Sequence, residues 1–108
     1  MLVETQIISR QIRLAMCMDE NEIARASLVI IKNDLHAKPY GLLEDVWVDP
    51  LHRNKGNGKA MVSAIIERAK QEDCYKLIAT SRFGRTNVHE TYRKLGFLSL
   101  GFEFRMNL

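Results

Sequence analysis

Gly41–Met61 reads GLLEDVWVDPLHRNKGNGKAM, and this stretch decides how the rest of the chain is organised. The apolar run Leu42–Val48 gives way to a turn at Asp49-Pro50, a basic loop containing glycine, and the first turn of a helix at Lys59. A helix start gathers unpaired N–H groups and the positive end of the macrodipole, so a strand that delivers a glycine loop onto it builds a cradle for anions. Gly56 and Gly58 lack a Cβ and let a ligand approach the backbone, while Arg53, Lys55 and Lys59 surround it with positive charge. The expected ligand is a di- or polyphosphate; the structural alternative is a plain turn before a helix.

Spacing narrows the choice. A Walker A loop needs Ser or Thr after its Gly-Lys, but Gly58-Lys59 is followed by Ala60, and Arg53 stands where the first glycine belongs. A dinucleotide fingerprint needs a third glycine where this chain has Met61. Arg53-Asn54-Lys55-Gly56-Asn57-Gly58 instead fits [QR]-x-x-G-x-[GA], and it resembles the pyrophosphate loop of the GNAT superfamily of acetyl-CoA-dependent N-acetyltransferases. The preceding Val46-Trp47-Val48-Asp49-Pro50 is similar to that family's V-x-V-x-P strand end, and Tyr92-Arg93-Lys94-Leu95-Gly96-Phe97 to its Y-x-K-x-G-F type of helix end. The resemblance covers residues 11 to 108. Glu44-Asp45 and Cys74-Tyr75-Lys76 look in particular like the glucosamine-6-phosphate N-acetyltransferase branch.

Composition bounds the reading from the other side. At 108 residues, 46% apolar and 27% charged, the chain is an ordinary globular one with room for a single core, so residues 1–108 are expected to form one domain. No apolar run approaches the roughly 20 residues that span a bilayer, and MLVETQIISRQ lacks the pattern of a signal peptide, so a cytoplasmic location is expected. Cys17 and Cys74 form no C-x-x-C pair and read as buried, reduced thiols. The net charge of +3 suits a phosphorylated ligand as well as nucleic acid. Aromatics at 7% are thin for base stacking, and the cations do not line one helix face, which disfavours nucleic acid as the main partner. His36, His52 and His89 have no ligand-like spacing, so no metal site is expected.

In chain order, Ile12, Leu14, Met16 and Met18 alternate with polar or small residues as in a half-buried strand. Asp19-Glu20-Asn21 is turn chemistry leading into an aliphatic strand over 23–31, and residues 2–8 offer a further short strand. After the strand at 42–49, Met61, Val62, Ile65, Ile66 and Ala69 mark the buried face of a helix over 59–71. A strand over 74–81 and a helix over 88–95 follow, with Asn87 as N-cap, Glu90 as its capping-box partner and Gly96 as the stop. From Leu98 to Leu108 every even residue is apolar, which predicts a last strand with a kink at Gly101, its Phe102 and Phe104 read as core and strand surface rather than as a cofactor box. The fold class is therefore α/β (α+β): a mixed, twisted sheet with antiparallel strands first and a β-α-β crossover after them.

The resemblance implies an enzyme that moves an acetyl group from acetyl-CoA to a primary amine by direct attack. Neither cysteine neighbours a motif that would activate it, which favours direct transfer over a covalent enzyme intermediate. Val46, Trp47 and Val48 would line the pantetheine arm, with a backbone N–H near Val46 facing the thioester oxygen. Arg53, Asn54, Lys55, Gly56, Asn57, Gly58 and Lys59 would hold the pyrophosphate, and Asn87 would touch the pantetheine or cap its helix. Tyr92 would protonate the departing thiolate, its phenol retaining its proton at neutral pH; at helical spacing with Val88 and Leu95 it also reads as a plain core tyrosine. Glu44 is the candidate base for the amine, with Asp45 the runner-up on the opposite strand face and a merely solvated charge the alternative. Family members carry a longer N-terminal region that walls the acceptor site, and almost nothing here precedes Gln11. The site is thus expected to be open or closed by a second subunit of a homodimer, with a small-molecule amine as acceptor. A CoA-binding sensor or subunit without catalysis, and a basic nucleic-acid-binding domain, are the competing readings.

Overall fold

In the computed structural model, which describes residues 1–108, the alternation of Ile12, Leu14 and Met16 resolves into β1 (Arg10–Met18). Asp19 and Glu20 both take positive φ, 49° and 69°, so a two-residue turn of the hairpin-favouring kind returns the chain into β2 (Asn21–Ile31). β3 (Tyr40–Val48) pairs antiparallel with β2, and after a 3-10 turn at Pro50–His52 the chain enters α1 (Asn57–Gln71). β4 (Leu77–Ala79) and α2 (Thr86–Lys94) complete the regular elements. The sheet order is β1-β2-β3-β4, with only the β3/β4 pair parallel, as the mixed-sheet expectation requires.

One face of the sheet carries Ala24, Ala26, Leu28, Ile30 and Leu43, and α1 covers it with Met61, Val62, Ile65 and Ala69. The predicted apolar stripe of the helix is thus the buried one. Leu28 and Ile65 are wholly buried, each worth roughly 1.5–3 kcal/mol of transfer free energy. Gly41 is required by close approach, since a Cβ there would stand 2.8 Å from Leu28 Cδ1 and 3.0 Å from Leu77 Cδ1.

α2 ends in a Schellman motif. Phe97 N–H donates to Tyr92 O and Gly96 N–H to Arg93 O, both at 3.0 Å, and the Phe97 ring packs on Tyr92 with centroids 5.2 Å apart. Gly96 sits at φ +103° with open space where a Cβ would be, so the demand is on the backbone alone. Gly96→Ala is expected to cost about 1 kcal/mol, read as a lower thermal midpoint.

Several expectations fail. Leu98, Leu100, Phe102, Phe104, Met106 and Leu108 are all at least 75% exposed and belong to no strand. Period-two alternation makes a strand only where an edge and an apolar face receive it, and the chain beyond Phe97 pairs with neither. Residues 2–8 form no element either, because pairing of β1 starts at Arg10↔Ile30, where β2 is about to end. The strand expected over 74–81 shrinks to three residues. Cys74 N–H is spent on Ala69 O and Tyr75 N–H on Pro39 O, and the ladder with β3 stops at Leu43↔Ala79. Asn87 caps nothing: His89 N–H bonds to Arg85 O, which makes Arg85 the cap residue and puts Asn87 inside the first turn, while Glu90 pairs with Lys94 at 3.3 Å. Cys17 is exposed at the end of β1 rather than buried. Cys74 is half-buried, and burial pushes its thiol pKa up.

Ion pairs tie the elements together. Glu72, at the end of α1, accepts from Arg10 at 2.7 Å and Arg68 at 2.9 Å, and Glu22 from Arg13 at 2.8 Å. The hydrogen bond from Arg10 holds the Glu72 carboxyl below its ordinary range, and that from Arg13 does the same for Glu22. Depressed carboxylates add stability that is complete above their unfolded pKa and lost as pH falls through the folded one. The thermal midpoint should therefore be flat near neutrality and fall below about pH 4, less steeply in Arg10→Gln.

Candidate functional site

β3 outruns its parallel neighbour. Pairing with β4 covers only Gly41, Leu42 and Leu43, so Glu44–Val48 has no strand on that side and a cleft opens between the two. The cleft, of about 1790 Å³, is lined by Glu44, Val46, Trp47 and Val48 on one wall, the Arg53–Lys59 loop at one end, and Asn87 and Tyr92 of α2 on the other wall. Twelve of the thirteen residues singled out from the sequence thus meet in one place. Lys55 alone lies outside the lining.

The floor of the loop is fixed by its own hydrogen bonds. Arg53 Nε donates to Val48 O at 2.9 Å, tying the loop to the end of β3, and Asn57 Nδ2 donates to His52 O at 2.9 Å. Asp49 accepts from His52 Nδ1 at 2.9 Å and from Leu51 N–H at 3.1 Å, and the His52 bond, chiefly, holds its carboxyl below the usual range. Gly56 caps α1 at φ +82°, a left-handed conformation that suits glycine, and it brings no side-chain cap. The first N–H groups of α1 are left without intrahelical acceptors, and no acidic residue stands in its first turn. Arg53, Lys55 and Lys59 form no ion pair. The arrangement is an electropositive cradle in which the N–H groups of Asn57, Gly58 and Lys59 have no acceptor within the protein. Gly58 is not demanded by the fold, since it takes no positive φ and a Cβ would meet Val48 Cγ2 at an ordinary 3.7 Å.

On the far wall, Tyr92 is half-buried against the core, and burial raises its phenol above the ordinary value, with Arg85 pulling slightly the other way. Arg85 was not legible as a site residue; its only signal was a cation in the loop before a helix.

A bulge separates the two carboxylates of β3. Ser27 pairs with Glu44 and Arg25 with Trp47, so two steps along β2 match three along β3, and Asp45 takes φ 51°. The extra residue breaks the alternation that was expected to point Glu44 and Asp45 oppositely, and both line the cleft. Arg25 occupies Asp45, with Nε donating to Oδ2 at 2.8 Å and Nη2 to Oδ1 at 3.3 Å. Glu44 has no ion-pair partner, so of the two carboxylates it is the one that no cation occupies.

The family model described as Acetyltransferase (GNAT) family matches residues 6–97. The glucosamine 6-phosphate N-acetyltransferase of Trypanosoma brucei brucei is 34% identical over 87 residues, 80% of this chain and 57% of that protein. The aminoglycoside N(6′)-acetyltransferase type 1 of Stenotrophomonas maltophilia is 29% identical over 65 residues, 60% of this chain and 42% of that one. The chain therefore spans about half the length of these two relatives. The crystal structure of an acetyltransferase from Trypanosoma brucei superposes with a TM-score of 0.82 at 31% identity, covering 91% of this chain and 69% of that one. No helix of the structure is long and apolar enough to cross a membrane. With the family model matching most of its length and a mixed sheet opening onto a basic loop at a helix start, the chain belongs to the GNAT family of acetyltransferases.

Proposed function

We propose that residues 1–108 act as one acetyl-CoA-binding domain that transfers the acetyl group to a primary amine by direct attack. The observation that carries the reading is the start of α1, without a side-chain cap and flanked by Arg53 and Lys59 without ion-pair partners, at the end of the cleft that Tyr92 and Glu44 also line. Acetyl-CoA supplies an activated acetyl thioester with a phosphorylated handle. The N–H groups of Asn57, Gly58 and Lys59 and the nearby cations would hold the pyrophosphate. Val46–Val48, lacking a strand on the cleft side, offers backbone groups to an extended arm. Glu44 accepts the amine proton, directly or through water, and Tyr92 donates its own to the departing thiolate.

An amino sugar is the first acceptor class to test, since both named relatives are called after sugar-borne amines. We place the protein in the cytoplasm, in keeping with its two unpaired cysteines. We further propose a homodimer, supported by the row of exposed apolar side chains over 98–108 and the unpaired outer edge of β4. A monomeric mass by light scattering at micromolar concentration would count against it.

Calorimetric titration with acetyl-CoA tests the central reading, followed by thiol release with glucosamine 6-phosphate and other amino sugars. Micromolar binding with turnover is expected. Binding without turnover on any amine would point to a CoA-binding module instead, and no binding by folded protein would overturn both.

A further inference from the structure

We propose that Arg25 is a positioning residue: it clamps the β3 bulge through Asp45 and Trp47 and thereby sets how the cleft-facing edge of the strand is presented. The bulge has no glycine to make it easy. Asp45 holds a left-handed φ of 51° while carrying a side chain, a conformation that persists where neighbouring groups enforce it.

Arg25 is the neighbour that touches both sides of the irregularity. Its guanidinium takes both carboxylate oxygens of Asp45, at 2.8 and 3.3 Å, and its Cζ lies 4.8 Å from the centroid of the Trp47 ring. Asp45 opens the bulge and Trp47 closes it, in register with Arg25 itself. Behind the clamp, Glu22 stands 3.9 Å from Arg25 and is held by Arg13, so a line of alternating charge crosses the sheet from β1 to β3. A planar, two-pronged cation that can also stack on an indole suits this position; a lysine would keep the charge and lose the fork.

The clamp braces a register that the packing of Val48 on the core also favours. Without the extra residue, Arg25 would face Val46, and Trp47 and Val48 would exchange faces of the sheet. Val48 now packs against the core cluster, and its carbonyl anchors Arg53 of the phosphate loop. A slip would disturb the strand edge and the loop together. Arg25 and Asp45 are 31% and 54% exposed, so their attraction contributes little to global stability. A clamp of this kind therefore predicts a change of local geometry with only a small change in melting.

The consequence for cofactor binding rests on the acetyl-CoA reading above; the clamp itself does not. Trp47 is the sole tryptophan, so its emission reports on the bulge directly. We would compare wild type, Arg25→Met, Asp45→Asn and Arg25→Lys by Trp47 fluorescence, cross-strand amide NOEs and acetyl-CoA titration. Expected for Arg25→Met and Asp45→Asn are a shifted Trp47 emission, weakened cross-strand NOEs around the Arg25↔Trp47 pair, about tenfold weaker acetyl-CoA binding, and a melting midpoint lowered by less than about 5 °C. Arg25→Lys should restore part of each. Unchanged pairing NOEs in both Arg25→Met and Asp45→Asn would overturn the clamp. Failure of the wild type to bind acetyl-CoA would overturn the proposed function, while the NOE pattern would still decide for or against Arg25.

Discussion

Tyr92→Phe is expected to lower turnover by about 10²–10⁴-fold, the range of general acid catalysis, with acetyl-CoA affinity unchanged. The substitution removes one oxygen from a ring that otherwise stays in place, packed on Phe97 at 5.2 Å and against the core. The Tyr92 hydroxyl makes no hydrogen bond to another protein group, so its loss orphans no partner and should change stability by less than about 0.5 kcal/mol. The phenol is chemically ready for the role, because burial raises its pKa and keeps the proton available through the neutral range. The alkaline fall in rate should accordingly lie above about pH 10 in the wild type and vanish in the residual activity of the variant. Steady-state thiol release beside calorimetric titration checks both halves. An unchanged kcat would return Tyr92 to the status of a core tyrosine.

The second large effect is expected at Gly58. Gly58→Trp should abolish measurable acetyl-CoA binding while the protein remains folded, because the fold has room for a side chain there and the ligand has none. A Cβ at this position would meet Val48 Cγ2 at an ordinary 3.7 Å with no positive φ to strain it, and Gly58 lines the open cleft, into which the rest of the indole would project. Gly58→Ala sharpens the test. It removes backbone freedom from the unfolded chain and should stabilise the protein by about 0.4–1 kcal/mol, yet weaken binding by crowding the cradle. Gly56→Ala should do the reverse to stability, since Gly56 caps the helix at φ +82° and any Cβ is strained in that conformation. Thermal melts with titration of each variant separate the two glycines. Undiminished binding in Gly58→Trp would reduce the loop to an ordinary turn.

What the sequence made legible was local. The glycine loop, the amphipathic face of α1 and the alternation of β1 each depend on residues within a few positions of one another, and each reappears in the structure. The meeting of the loop and Tyr92 at one cleft follows from the crossover, since the strands that precede them lie side by side. The bulge was not legible. An inserted residue in β3 shows itself only against the register of β2, and Asp45 carries none of the glycine that would have marked it. The sequence ranked Glu44 ahead of Asp45 as the candidate base, but that Arg25, twenty residues earlier in the chain, holds Asp45 shows only in the structure. The tail failed for the same reason in reverse: residues 98–108 have the pattern of a strand, but pattern specifies a face and not a partner.

The three-position ladder between β3 and β4 also bears on how the molecule breathes. β1, β2 and β3 are zipped over long antiparallel stretches and covered by α1, whereas β4 hangs on Gly41, Leu42 and Leu43, and α2 contributes no fully buried residue. The C-terminal half is thus the part that opens at least cost. A ligand that touches both β3 and α2 needs the closed arrangement to make both contacts, and would hold that half shut by mass action. Resistance to proteases at β4 and α2 would then rise with the concentration of any ligand that fills the cleft, a readout of occupancy that needs no turnover.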